Sequence, residues 1–425
     1  MTSTHLTRCV RAPLFFAVLV ALGVIAPVAV DAQDAVSAVA SSALVIPEGN
    51  VTEGEASIAS IGLRRGITEV QGVRFIHPVD VLSPPETTED LQFGLEELES
   101  RANQLRDGDA ADVAESTDAL VDLFEQHLDA VRREQLVDAY MINALARCRM
   151  GQQRECESRL ARIFVFREGH AYDAERYPAD LQATFDRVQA RVTGGARTSL
   201  EVITEPAGAE VYIDGRSYGP SPARADDLLV GDHYVTIKML DRMRLVQRVN
   251  VARSGSTERL ELQPNPRARL VASPEALSAI SAELGETRAG ANIRSLGSTL
   301  GTAQVVIARL VRAEGATTLD AYLYDVRTRF LLAHREATIE GAEEGIEQAR
   351  LLAVELYQGV DLSGTVEVVE ETGPERRAEP WEEWWFWTSI GAAVVAVGVG
   401  VGVGVGIASQ GPAVPEGWTR IEGTL

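Results

Sequence analysis

Between Ser199 and Leu262 the chain alternates apolar and polar residues and breaks that alternation only at turn-forming residues. Leu200, Val202 and Thr204 alternate with Ser199, Glu201 and Ile203, and after Pro206-Ala207-Gly208-Ala209 the pattern resumes as Val211-Tyr212-Ile213. A period of two gives each segment one buried face, the signature of strands rather than helices. Asp214-Gly215 supplies the positive φ of a tight hairpin, and Gly219-Pro220-Ser221-Pro222 blocks a helix and forces a loop. After Gly231-Asp232 a second run, His233 to Met239, puts Val235, Ile237 and Met239 on one side. Short strands follow at Val246 to Val251 and Arg259 to Leu262. A compact β-sandwich is expected over residues 198–264.

The residues Pro206-Ala207-Gly208-Ala209-Glu210-Val211-Tyr212-Ile213-Asp214-Gly215, then Gly219-Pro220-Ser221-Pro222, then Leu229-Val230-Gly231-Asp232-His233-Tyr234-Val235-Thr236-Ile237 resemble the PEGA domain of bacterial envelope and surface-layer proteins. Ala207 stands where that motif's Glu usually sits, and Leu240-Asp241-Arg242 replaces its Gly-aromatic step. The resemblance implies a non-enzymatic, adhesive or carbohydrate-binding module and an envelope location.

Residues 1–32 have the plan of a secretory signal peptide: Arg8 and Arg11, an apolar stretch from Leu14 to Ala29, then Val30-Asp31-Ala32 for cleavage. Residues 33–89 are rich in small residues and punctuated by Pro78, Pro84 and Pro85, and are expected to be a linker with one strand. A formal net charge of −22 excludes nucleic acid as a partner, because a polyanion is bound through clustered Lys and Arg.

Helical periodicity takes over in residues 90–193. Leu91, Leu95, Leu98 and Leu105 recur at helical spacing, as do Leu120, Leu123, Phe124 and Leu128, and then Leu136, Tyr140, Ala144 and Leu145. Tyr140 to Gly151 resembles a tetratricopeptide helix-turn-helix, although Gly108 and Gly151 are further apart than the repeat of about 34 residues. A TPR-like α domain that binds a protein partner is expected. Cys148 and Cys156 lie on either side of its turn, where two antiparallel helices bring them within disulfide reach. His170, Tyr172, Asp173, Arg176 and Tyr177 are a polar-aromatic cluster on a loop between helices.

Residues 267–360 read as a mixed α/β domain: a helix at Leu277 to Leu284, strands at Gln304 to Arg312, Leu319 to Asp325 and Phe330 to Ile339, and a helix at Gly345 to Tyr357. The order, with Asp325-Val326-Arg327-Thr328 at a turn, resembles the small α/β domains of curli-secretion and flagellar-accessory outer-membrane lipoproteins. Residues 361–386 form an acidic Pro/Trp linker. Trp381, Trp384, Trp385 and Trp387 precede an uncharged span, and a transmembrane helix is expected at 387–408 with a cytoplasmic tail at 409–425. The fold class expected is multidomain α+β: a TPR-like helical domain, a small PEGA-type sandwich, a mixed α/β domain and a C-terminal transmembrane helix. The bulk of the chain would be periplasmic, held by that single pass.

For chemistry, Gly215-Arg216-Ser217-Tyr218-Gly219 fits G-x-S-x-G, but a nucleophile elbow needs a helix after the serine, and Pro220 and Pro222 forbid one. No phosphate-binding loop, H-E-x-x-H or CxxC motif occurs, so no catalytic, cofactor or metal residues are assigned. The function expected is a non-enzymatic interaction or scaffold protein. The helical domain would bind a protein, and the β module a protein, a cell-wall polymer or a surface carbohydrate through Arg216, Tyr218 and Tyr234. The alternative is an envelope hydrolase or transferase, which a cleft with a strongly shifted carboxylate or histidine would favour.

Overall fold

A computed structural model describes residues 38–362, apart from Asp109 and Glu314, and they belong to one compact unit ending at Leu362. The chain starts with β1 (Val39–Glu48), α1 (Glu53–Glu69), β2 (Val73–Phe75) and a short α2 (Pro78–Leu82). Thr52 starts α1 by a capping box with Glu55, and Pro78 occupies the first turn of α2, where a missing N–H costs nothing. Five helices follow: α3 (Glu89–Asp107), α4 (Ala110–Gln126), α5 (Arg133–Arg149), α6 (Gln153–Phe166) and α7 (Gln182–Thr193). The β module contains β3 (Arg197–Glu205), β4 (Glu210–Ile213), β5 (Arg216–Pro220), β6 (Ala223–Leu229), β7 (Gly231–Lys238), β8 (Leu245–Val251) and β9 (Ser256–Glu261). Last come α8 (Arg269–Ala272), α9 (Pro274–Ser281), α10 (Ala291–Leu300), β10 (Gln304–Ala313), β11 (Ala316–Asp325), β12 (Leu331–Ile339) and α11 (Glu343–Leu356).

The expected linker at 33–89 is corrected by this structure: from Val39 onward it is the first half of the α/β domain. The domain is discontinuous, a five-stranded sheet in the order β12-β11-β10-β1-β2. β1 runs parallel to β10 from Ser41↔Gln304 to Glu48↔Val311, and β11 and β12 add antiparallel strands. Both sheet faces are covered. Ala43, Val306, Ala308 and Leu323 pack under α1 and α11. On the other face, Leu44, Ile46, Val305 and Ile307 pack against Val271, Ile280 and Ile293 of α8, α9 and α10. A strand buried on both faces shows no polar alternation, which is why β1 does not stand out in the sequence. α1 and α11 approach closely because Gly62 and Gly66 of α1 lack side chains: a Cβ at Gly62 would meet Ala349 Cβ at 2.5 Å.

In the helical array α5 is central. Every residue from Leu136 to Ala146 except Asp138 is buried, including the polar Asn143, whose amide donates to Ala114 O, Thr117 Oγ1 and Asp118 Oδ1 at 3.0–3.1 Å. Cys148 and Cys156 are disulfide-bonded across the α5–α6 turn, with Cα atoms 5.1 Å apart.

The β module is a sandwich of a three-stranded sheet, β6-β3-β9, and a four-stranded sheet, β5-β4-β7-β8. Leu200, Val202, Val211, Ile213, Val235 and Ile237 fill the space between them. The Asp325 to Thr328 step makes the β11–β12 turn, with Asp325 Oδ1 accepting from the Thr328 amide at 2.6 Å.

The membrane part of the expected fold class is corrected as well: no helix among the described residues is long and apolar enough to cross a membrane. The architecture supported is a mixed α+β multidomain chain. The expected signal peptide (1–32), transmembrane helix (387–408) and tail (409–425) lie outside the described residues, as does the linker from Ser363 onward.

Candidate functional site

Period-two geometry turns Val211, Ile213, Val235 and Ile237 into the sandwich core and therefore turns Glu210, Tyr212, Tyr234, Thr236 and Lys238 out of the four-stranded sheet. That outer face is not open to solvent along its length. One end meets α1 and α2, and its middle meets α5 and α6.

At the first junction Glu210 is 6% exposed. Arg64 Nη2 donates to Glu210 Oε1 at 2.6 Å, Ser217 Oγ donates to the same oxygen at 3.0 Å, and His77 Nε2 lies 3.6 Å from Oε2. Burial pushes the Glu210 carboxyl up, but His77 and the Arg64 guanidinium outweigh it and hold the pKa at about 2. Burial, aided by the charge of Lys238, lowers the His77 pKa against the opposing pull of Glu210. His77 Nδ1 accepts from the Val79 amide at 3.2 Å, which assigns the proton of the neutral ring to Nε2, facing Glu210. Beside them Asp80 takes Lys238 Nζ at 2.7 Å and Arg244 Nη1 at 3.2 Å. Arg64 and Lys238 each lie 5.4 Å from the Tyr212 ring centroid. The Ser57 hydroxyl of α1 donates to Gly208 O, in the turn before β4.

This cleft has a shifted carboxylate, and its wiring differs from that of a serine nucleophile with its base. Ser217 is the serine of the G-x-S-x-G stretch, and its proton goes to Glu210 instead of a histidine nitrogen. The carboxylate stands between serine and histidine, so His77 has no direct path to activate Ser217 as a nucleophile. A carboxyl held at about 2 is a poor general base near neutral pH. Ser217 sits on β5, in a hairpin, and not at a strand-to-helix elbow. No group of three or more metal-ligating side chains occurs among the described residues.

The second junction contains Tyr234. Only 8% exposed, it packs edge-on against Phe166 of α6 with centroids 4.8 Å apart, and Tyr140 lies 6.4 Å from the same ring. Glu125 of α4 gathers the polar ends: it accepts from Arg162 at 3.0 Å, pairs with Arg248 of β8, and receives the Tyr234 hydroxyl at 3.4 Å. Tyr234, expected at a partner surface, is thus an internal contact between modules. Arg216 is exposed, its guanidinium 5.6 Å from the ring of Tyr218, and Tyr218 leans on the sandwich core. The three expected contacts do not form one patch. His233 points inward, bonded to Asp214 Oδ2 at 2.6 Å and Leu229 O at 2.7 Å. Burial lowers its pKa, but Asp214 raises it further, so the net shift is upward. In the loop cluster after α6 the tyrosines are tied into the fold while Asp173 is exposed: Tyr177 is 2% exposed and donates to Asp138 at 3.0 Å, and Tyr172, half-buried, donates to Pro178 O at 2.5 Å.

Sequence reasoning missed Arg64, His77, Asp80 and Glu210. The alternation places Glu210 and Tyr212 on the outer face, but nothing local says that this face is covered.

Beside the first junction lies a cavity of about 260 Å³, between β1, α1, α9 and the β7 end of the sandwich. Residues 197–266 match the PEGA domain, which covers the β module and not the helical or α/β regions. No curated protein matches the chain.

Proposed function

We propose that this chain is an exported, non-enzymatic interaction protein of the cell envelope, a rigid body that presents separate surfaces to its partners. The observation that carries this reading is the wiring of the Glu210 cluster. Its perturbed groups bond to one another and fasten the sandwich to the α/β domain. The Cys148–Cys156 bridge fits an oxidising compartment.

The open face of the sandwich is the three-stranded sheet. Glu205, Arg224, Asp226, Thr257, Arg259 and Glu261 on that sheet are exposed, and none is aromatic. Sugar recognition leans on aromatic stacking, so this face favours a charged protein surface over a neutral carbohydrate. On the helical array, Phe93 of α3 is 62% exposed and is the position from which a partner of that array is sought. The test is in vivo photo-crosslinking from position 257 and from position 93, together with turnover assays on peptidoglycan and ester substrates. The expected outcome is defined cross-linked complexes, lost when Arg224 and Arg259 are both changed to Glu in the position-257 experiment, and turnover equal to that of Ser217→Ala. Turnover that Ser217→Ala abolishes without unfolding the protein contradicts this function.

A further inference from the structure

β1 has a complete partner on only one side. β10 follows it to Glu48, whereas β2 pairs only with Val39, Ala40 and Ser41. The backbone bonds assign the edges: Ala40 O accepts from Ala303, on the β10 side, and Ser41 O accepts from Ile76, on the β2 side. Because N–H and C=O pairs alternate along a strand, Ala43, Val45 and Pro47 continue the Ser41 edge beyond the end of β2. No described strand pairs with them there. Pro47, which has no N–H to leave unpaired, is the residue a strand tolerates at such an edge.

The cavity of about 260 Å³ lies along this open edge, and Ala43, Val45 and Pro47 line it. Ala56 and Ile61 of α1, Leu240 after β7 and Leu277 of α9 are apolar walls, Ser60 of α1 lies among them, and charged residues complete the lining, so it is a partly apolar slot with a backbone edge. Its charged residues are unevenly satisfied. Glu210 is paired with Arg64 and Lys238 with Asp80, whereas Glu53 is exposed and makes no ion pair among the described residues, and Asp241 pairs only with its neighbour Arg242 at 3.2 Å. The charge left over at the slot is negative.

We propose that this slot takes an extended peptide of a partner protein, with alternating apolar residues flanked by Lys or Arg, which pairs with β1 as an added strand. The proposal rests on the interaction-protein reading above and names the partner chemistry for one surface. Strand addition supplies what the slot lacks: main-chain donors and acceptors at the strand repeat for Ala43 and Val45, apolar side chains for the walls, and a cation for Glu53.

The test is fluorescence anisotropy with the full chain and a fluorescein-labelled peptide, Lys-Val-Thr-Val-Thr-Val-Lys. Saturable binding is expected. Methylating alternate amide nitrogens keeps the side chains but removes two strand hydrogen bonds and should weaken binding about tenfold or more. Ser60→Trp, which fills the slot, should abolish binding with the unfolding midpoint kept, and Glu53→Arg, at an exposed position, should weaken it about threefold. Absence of saturable binding, equal binding of methylated and unmethylated peptides, or undiminished binding to either variant overturns the proposal. If peptide binding fails while the crosslinks from positions 93 and 257 persist, the slot assignment falls and the interaction function stands.

Discussion

The four-stranded sheet turns Glu210, Tyr212, Tyr234 and Lys238 toward neighbouring helices, whereas the three-stranded sheet turns Glu205, Arg224, Asp226 and Arg259 toward water. Both are built from the same alternating pattern around one shared core. Their outer faces differ in what satisfies the polar groups: protein partners on one, solvent on the other. A charge on the first face has lost its water and depends on its partner, while a charge on the second is free for another molecule.

The largest effect should come from breaking the covered face. Glu210→Ala leaves the Arg64 guanidinium, 18% exposed, without its carboxylate, and should cost about 3 kcal/mol in chemical denaturation. Tyr234→Ala removes the ring that packs on Phe166 and should also cost about 3 kcal/mol, measured the same way. Either substitution costing under about 0.5 kcal/mol would mean that these contacts do not hold the modules together.

A smaller effect separates two histidines of the same region by sign. The His77 pKa is lowered in the folded state, so its contribution to stability is complete above the ordinary value of 6.5 and is lost as pH falls below it. The His233 pKa is raised, so its contribution is complete below 6.5 and is lost as pH rises through the folded value. Unfolding free energy measured from pH 5 to 9 should therefore lose part of its acid-side slope in His77→Gln and part of its alkaline-side slope in His233→Gln. Slopes changing on the same side would refute the assignment. Smallest of all, Arg224→Glu on the open sheet should leave stability within about 0.5 kcal/mol of the wild type, since its ion pair with Asp226 is exposed on both sides.

How much of this was legible depends on whether the signal was local. The sandwich was, because Leu200, Val202, Val211 and Ile213 alternate within a few residues and Asp214-Gly215 marks its own turn. The central helix of the array was marked by Leu136, Tyr140 and Leu145. β1 was not, because its partner strand begins at Gln304 and its two buried faces erase the alternation. The capping box Thr52-Glu53-Gly54-Glu55 was a readable start signal for α1, hidden inside a stretch otherwise read as linker. Tyr234 shows the limit of pattern reading: alternation gives the side of the sheet on which a residue lies, and only tertiary packing gives what lies against that side. The cleft's other members, Arg64, His77 and Asp80, belong to the N-terminal segment, so no spacing in the sequence joins them to Glu210.

Calorimetric unfolding of the wild type and of Glu210→Ala tests most directly whether the covered sheet makes the modules one body. The structure leads us to expect one cooperative transition in the wild type, with calorimetric and van't Hoff enthalpies equal, and separate transitions in the variant. Separate transitions already present in the wild type, unmoved by the substitution, would contradict it.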